Sequence, residues 1–404
     1  MYKKDFLKNS IILFTTSIML LLIWGCDSSK SNPAGPVIHI RGEIENLNNM
    51  MVITPGILEQ LLTDNDMTVP FTLTYSVETI SVEYYTIDAN GIQEIASGAL
   101  IIPLDVNNLP LVSIQHGTES KSDLVASVST FNSSEGIMGM IMASMGYFVV
   151  VPDYLGFGVS DMMHPYMHGE SLIPSVIDLM RAGRTYCSDH EITLDGDVFL
   201  TGYSEGGFAT LLTQKKIEAE YQTEFNLIAV APMAGPYDLL GMSGTIFQSN
   251  TYNSQAYIGF FFTAYNDIYN WNRLTDFFNE PYAAQMTGLY DGSKTWGEII
   301  ASLPDTFAEL MDPNFADDFN NGNEQDILTA LQENTMLDWT PQAPIHFFHG
   351  DADQLVSIQH SITAMNRLTE NGATDIQLTI IPGGTHESAG LPAVIGAIEW
   401  FEEY

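Results

Sequence analysis

Basic side chains are scarce in this chain. Among 404 residues, 13 Lys and Arg stand against 50 Asp and Glu, and the formal charge at pH 7 is −37. A field of that sign repels nucleic acid and other polyanions, keeps the protein in solution, and suits neutral substrates better than acidic ones. Cysteine is nearly absent as well, with only Cys26 and Cys187. If the N-terminal segment is removed on export, one thiol is left and no intramolecular disulfide can form. Cys187 then reads as a small buried apolar residue. No His-Glu-x-x-His, Cys-x-x-Cys pair, phosphate-binding loop or calcium-loop pattern occurs, so no metal, nucleotide or other cofactor is expected. Disorder is excluded too, because a chain that is 45% hydrophobic and 11% aromatic can build a packed core.

Long apolar runs are missing with one exception, residues 11–24, which follow Lys3, Lys4 and Lys8. Charge first and hydrophobic run second is the order of a secretory signal. The run ends in Ile23-Trp24-Gly25-Cys26, which resembles the lipobox of bacterial lipoproteins. That resemblance implies that Cys26 becomes the acylated first residue of an exported protein, anchored to the envelope membrane. A single-span anchor is the rival reading, disfavoured by the short run and the Gly-Cys ending. Residues 1–25 are expected to be signal peptide and 26–55 a tether, which opens on a polar, Pro/Gly-punctuated stretch.

Beyond the tether the rhythm of the sequence changes twice. Residues 73–77, 80–87 and 99–103 alternate apolar and polar around an Asp88-Ala89-Asn90-Gly91 turn, which predicts antiparallel strands. Short apolar strands at 111–114, 147–151, 198–201 and 227–231 then alternate with helical patterns. Strand and helix in turn argue for an α/β fold with a mostly parallel sheet covered on both faces. The alternation stops over residues 236–341 and resumes with strands at 345–348 and 376–381 and a closing helix near 393–401. An insertion of this length between two strands of one sheet reads as a mainly helical cap, and such connections usually carry function.

The chemistry-bearing stretch is Val198-Phe199-Leu200-Thr201-Gly202-Tyr203-Ser204-Glu205-Gly206-Gly207. A strand runs into Gly-x-Ser-x-Gly and a helical pattern follows at once, the context of a nucleophile elbow. A serine hydroxyl needs a base to take its proton, and the base needs an acid to hold its tautomer. Both are available at strand ends downstream: His349-Gly350-Asp351-Ala352-Asp353, and Gly383-Gly384-Thr385-His386. Of nine histidines only His386 combines a strand end, a Gly-rich turn and the right order. His116 and His349 are expected to be structural, and His164 and the remainder surface or core residues. Oxyanion donors are expected from the amide of Glu205 and from Gly117 or Thr118 in Gln115-His116-Gly117-Thr118.

These segments resemble the secreted lipase/esterase branch of the α/β-hydrolases, together with Gly146-Tyr147-x-Val149-Val150-x-Pro152-Asp153-Tyr154-x-Gly156-x-Gly158-x-Ser160 and Asp178-x-x-Arg181-Ala182. The resemblance covers about residues 70–404. It implies an α/β-hydrolase fold, with core segments 56–235 and 342–404 and the cap 236–341 as lid. It also implies cofactor-independent carboxylic-ester hydrolysis by Ser204, His386 and an aspartate. The spacing His-Gly-x-x-Asp-x-x-Val usual in such hydrolases selects Asp353 over Asp351. Relatives commonly carry Gln after the nucleophile, where this chain has Glu205, and its carboxylate is expected to face the positive end of the following helix. Aromatic residues early in the cap, with Tyr203, Phe261, Tyr265 and Trp271 as candidate walls, point to an apolar pocket for an uncharged ester. A serine peptidase on the same fold, or a non-catalytic binding lipoprotein of the envelope, are the alternatives.

Overall fold

A computed structural model describes residues 38–249, 254–335 and 337–404. The segment from His39 to Tyr404 packs as one unit around a nine-stranded sheet. In chain order the strands are β1 (Ile44–Ile53), β2 (Val77–Ile87), β3 (Gln93–Pro103), β4 (Leu109–Gln115), β5 (Phe148–Pro152), β6 (Leu194–Tyr203), β7 (Asn226–Met233), β8 (Ile345–Gly350) and β9 (Ile376–Ile381). Their spatial order is β1-β2-β3-β5-β4-β6-β7-β8-β9. The first four in that order pair antiparallel and every pair from β5 to β9 is parallel. The central strands are buried on both faces, and all five residues of β5 are inaccessible. This is why they read as unbroken apolar runs rather than as alternating patterns.

Helices α1 (Pro55–Asp64), α2 (Ser134–Met145), α3 (Gly169–Asp189) and α4 (Glu205–Lys216) cover the sheet. The side-chain period of two along each strand splits the core. Val149, Val151 and Phe199 pack with α2 and the closing helix Gly390–Phe401. Val150 and Leu200 face the opposite way, onto Val176 and Ile177 of α3 and Leu212 of α4. α2 is bounded by local chemistry at both ends. Ser133 caps its first turn by accepting from the Gly136 amide, and Gly146 ends it at φ +113°.

Between β7 and β8 the chain leaves the sheet and forms helices, beginning with α5 (Leu239–Ser249) and α6 (Gln255–Ile268). Two expectations from sequence are corrected. The tether cannot extend to residue 55, because β1 pairs with β2 from Ile44 to Ile53 and α1 begins at Pro55. Residues 73–76 are not strand, since β2 starts at Val77. The expected signal peptide and Cys26 lie outside the described residues.

Candidate active site

β6 delivers Ser204 to the edge of the sheet, and α4 starts at the next residue. Ser204 has φ 61° and ψ −120°, a conformation that strains an L-residue and turns its side chain out of the strand-to-helix bend. The bend closes only because its neighbours lack side chains. A Cβ at Gly202 would lie 2.6 Å from the Gln115 carbonyl oxygen, and one at Gly206 would overlap that oxygen outright. The Ser204 amide donates to the Met233 carbonyl at 2.9 Å, fastening the bend to the end of β7.

Loops after β8 and β9 bring two further groups to this serine. His386 Nε2 lies 2.9 Å from Ser204 Oγ, and His386 Nδ1 lies 2.6 Å from Asp353 Oδ2. A carboxylate only accepts, so Nδ1 carries the proton and Nε2 is left to accept from the serine hydroxyl. Asp353 Oδ1 accepts from the Leu355 and Val356 amides at 2.9 and 2.8 Å. Burial alone would raise the pKa of this carboxyl. Hydrogen bonds from His349 and His386 and from the Val356 amide outweigh it and hold Asp353 well below the usual carboxylate range. Asp351 sits apart and accepts from the Gly383 amide at 2.6 Å, pinning the turn that precedes His386. Buried His349 bonds Ser361 Oγ and the Val356 carbonyl, which fixes the loop carrying Asp353.

The loop after β4 closes over the serine from the other side. A Cβ on Gly117 would stand 3.9 Å from that of Ser204. Gly117 spends its own amide on Glu135 Oε1 at 3.1 Å. The Thr118 amide finds no acceptor among the described residues. Buried His116 holds the intervening peptide: its Nδ1 meets the Gly117 carbonyl at 2.6 Å and its Nε2 the Asp153 carbonyl at 2.8 Å. Two carbonyls can only accept, so the ring carries both protons and a positive charge. Burial opposes that charge, but the carboxylates of Glu135 and Glu205, with the two carbonyls, prevail and raise its pKa. By gripping the Gly117 carbonyl, the ring fixes a planar peptide and with it the direction of the Thr118 N–H.

Glu205 lies in the first turn of α4. Its side chain is 1% exposed and also bonds His164 Nε2 through Oε1 at 2.8 Å, a partner not expected from sequence. His164, on the loop after β5, is therefore part of the site's surroundings although its sequence context gave no sign of this.

Above Ser204 and Glu205 lies a pocket of about 680 Å³, its open mouth included. Its walls are Leu239, Met242, Ile246 and Phe247 of α5, Tyr257, Ile258, Phe261 and Phe262 of α6, and Leu355 and Val356 beside Asp353. Of the four wall candidates only Phe261 lines it. Tyr265 is fully buried in the cap and donates its hydroxyl to the Met167 carbonyl at 3.0 Å. Trp271 stacks on Tyr269 with ring centroids 5.0 Å apart. Tyr203 donates its hydroxyl to the His386 carbonyl at 2.7 Å and so steadies the histidine. Aromatic density marked the cap's own core, while much of the pocket wall is aliphatic and comes from α5.

A mostly parallel sheet, a serine elbow after its central strand and an acid and a histidine on later strand ends define an α/β-hydrolase. The secretory lipase family model matches residues 123–403, and the chain belongs to that family. The chain is 24% identical over 273 residues to Lipase 6 of Candida albicans, a match covering 64% of this chain and 55% of the relative. It thus spans about half the length of that curated relative. The rice cell wall degrading esterase LipA of Xanthomonas oryzae is 26% identical, with a TM-score of 0.79 over 89% of this chain and 96% of that one. A solved protein of Legionella pneumophila shares the fold with a TM-score of 0.81 at 22% identity, covering 89% of this chain and 98% of that one.

Proposed function

We propose that this chain is an exported carboxylic-ester hydrolase that works through an acyl-enzyme, with Ser204 as nucleophile, His386 as general base and acid, and Asp353 as the acid that holds the histidine. The observation that carries the reading is the continuous chain of contacts Ser204–His386–Asp353, at 2.9 and 2.6 Å. Ser204 Oγ bonds the ester carbonyl carbon as its proton passes to His386 Nε2, and the carbonyl π pair moves onto oxygen. The amides of Thr118 and Glu205 receive that oxyanion. Both are open to it, the first for want of an acceptor and the second because no helical carbonyl can reach the first amide of a helix. The oxyanion pair then re-forms the carbonyl as the C–O bond to the alcohol breaks, the imidazolium protonates the departing oxygen, and water repeats the sequence on the acyl-enzyme to release the acid and free Ser204.

An apolar pocket lined by α5 and α6 supports an uncharged ester with a medium-length acyl chain or an aromatic group. Acylation of Cys26 would tether the enzyme to the envelope membrane. The test is hydrolysis of p-nitrophenyl esters of increasing acyl length. The wild type is expected to gain about fourfold in kcat/KM per methylene while the pocket fills, since each buried methylene contributes about 0.8 kcal/mol. Ser204→Ala should retain the folded circular-dichroism spectrum and lose turnover by about 10⁴-fold or more. Turnover that survives this substitution rules the mechanism out.

A further inference from the structure

The residue after the nucleophile is a buried acid with a single side-chain partner. Glu205 Oε1 meets His164 Nε2 at 2.8 Å, and Oε2 has no hydrogen-bond partner among the described residues. His164 is itself 3% exposed, and its Nδ1 lies 2.9 Å from the Leu155 carbonyl oxygen. A carbonyl only accepts, so Nδ1 bears a proton. The contact between Nε2 and Oε1 then requires a second proton, carried by either the ring or the carboxyl. In both arrangements, imidazolium with carboxylate or imidazole with carboxylic acid, the pair has no net charge.

No other cation bonds Glu205 among the described residues. Buried His116 feels both Glu135 and Glu205, but Glu135 is the larger influence on it and its two ring nitrogens are turned to the Gly117 and Asp153 carbonyls. Tyr154, Tyr257 and Glu119 also feel Glu205, and none of them is a cation. With His164 removed, an ionised Glu205 would be an uncompensated carboxylate next to the serine, with one oxygen already lacking a hydrogen-bond partner among the described residues.

We propose that His164 is a positioning residue for ester hydrolysis: it keeps the Glu205 carboxyl electrically compensated while the adjoining Glu205 amide receives the oxyanion. This rests on the ester-hydrolase reading above. As Ser204 Oγ bonds the carbonyl carbon and the π pair moves to oxygen, negative charge grows beside Glu205. An uncompensated carboxylate there opposes that charge through a poorly screened interior, so the loss falls on the chemical step rather than on ground-state binding.

The experiment compares wild type, His164→Gln and the double variant His164→Gln/Glu205→Gln on one p-nitrophenyl ester, with circular dichroism and melting temperature for each. Glutamine keeps hydrogen-bonding ability at position 164 but cannot carry the compensating charge. His164→Gln is expected to lower kcat by about 10- to 100-fold with KM changed by less than about threefold. Removing the acid in the double variant should restore about tenfold or more of the lost kcat. A His164→Gln that fails to fold while the double variant folds and turns over ester also supports compensation. Equal rates for wild type and His164→Gln overturn the proposal. So does a double variant no faster than His164→Gln, or unfolded like it, because the ring would then be needed for packing and not for charge. A wild type that hydrolyses no ester instead defeats the ester-hydrolase reading itself, so the two failures are distinct.

Discussion

Asp351 and Asp353 are chemically identical acids two positions apart, and only their bonds separate their roles. Asp353 turns inward, takes two amides of its own loop and reaches His386, while Asp351 clips the Gly383 turn. The positions of the serine, histidine and acid were legible because each follows a short apolar strand in a Gly-bearing turn, a pattern that is local in sequence. The Glu205–His164 pair was not legible. Its members are 41 residues apart, and the loop that holds His164 has no periodicity to place it. Glu119, beside Thr118, is a further consequence of crowding acids near the serine. Burial, with Glu135 and Glu205 adding to it and His116 opposing, pushes its pKa up to about 7 from 4.5. The folded protein thus keeps a proton that the unfolded chain loses first, so stability falls as pH rises through that window and levels off above it. Glu119→Gln should remove this fall and stabilise the protein at about pH 8 by roughly 1–3 kcal/mol, with little effect near pH 5. Thermal melts of both proteins at the two pH values check it; an unchanged pH dependence would disprove the assignment.

At the scale of elements, the parallel half of the sheet was legible and the N-terminal edge was not. Strands β4 to β8 are buried runs whose apolar residues announce them. β1 reads Ile-Glu-Asn-Leu-Asn-Asn-Met-Met-Val-Ile, an exposed edge strand interrupted by register shifts at Ile44/Asn46 and Asn49/Met51, so no clean alternation survives. Its contribution is nevertheless structural. It pairs along most of β2, and ahead of it His39 stacks on Tyr85 at 3.8 Å while Arg41 reaches the buried Asp178 at 2.9 Å. A chain beginning at Thr54 would bare the edge of β2 and leave Asp178 with Arg181 as its one ion-pair partner, beside the Thr86 hydroxyl. It is expected to melt several degrees below a chain beginning at His39 and to aggregate more readily, as differential scanning calorimetry and light scattering would show. Equal melting temperatures would mean that the fold proper starts at α1. The cap is fastened more locally, by Ser122 to the Gly292 carbonyl at 2.9 Å and by Trp296 Nε1 to the Thr118 carbonyl at 3.4 Å. Both bonds land on the loop that carries the Thr118 amide, so the cap and that loop are held in one arrangement.

For the whole molecule, the dominant electrostatic fact is the imbalance of 50 acids against 13 bases. Most of the bases in the described residues already serve a carboxylate: Arg41 and Arg181 on Asp178, Arg181 also on Glu224, Arg273 on Glu324 and Asp276, Lys121 on Asp123, Lys216 on Glu170 and Glu220, and Arg367 on Asp338. Few cations are left for the other carboxylates, and the folded state concentrates their mutual repulsion. Two opposite salt effects then compete. Screening weakens the ion pairs, yet exposed pairs contribute only about 0–1 kcal/mol each, and a buried one such as Asp178 with its arginines is screened least. Screening also weakens the repulsion, which sums over many more charges. The second effect should win. Raising sodium chloride from about 20 mM to about 500 mM, which shortens the screening length from roughly 20 Å to roughly 4 Å, is expected to raise the melting temperature by about 2 °C or more. A melting temperature that falls with salt would show instead that the paired cations outweigh the unpaired acids. A protein with this charge would then be held together by its few bases rather than strained by its many acids.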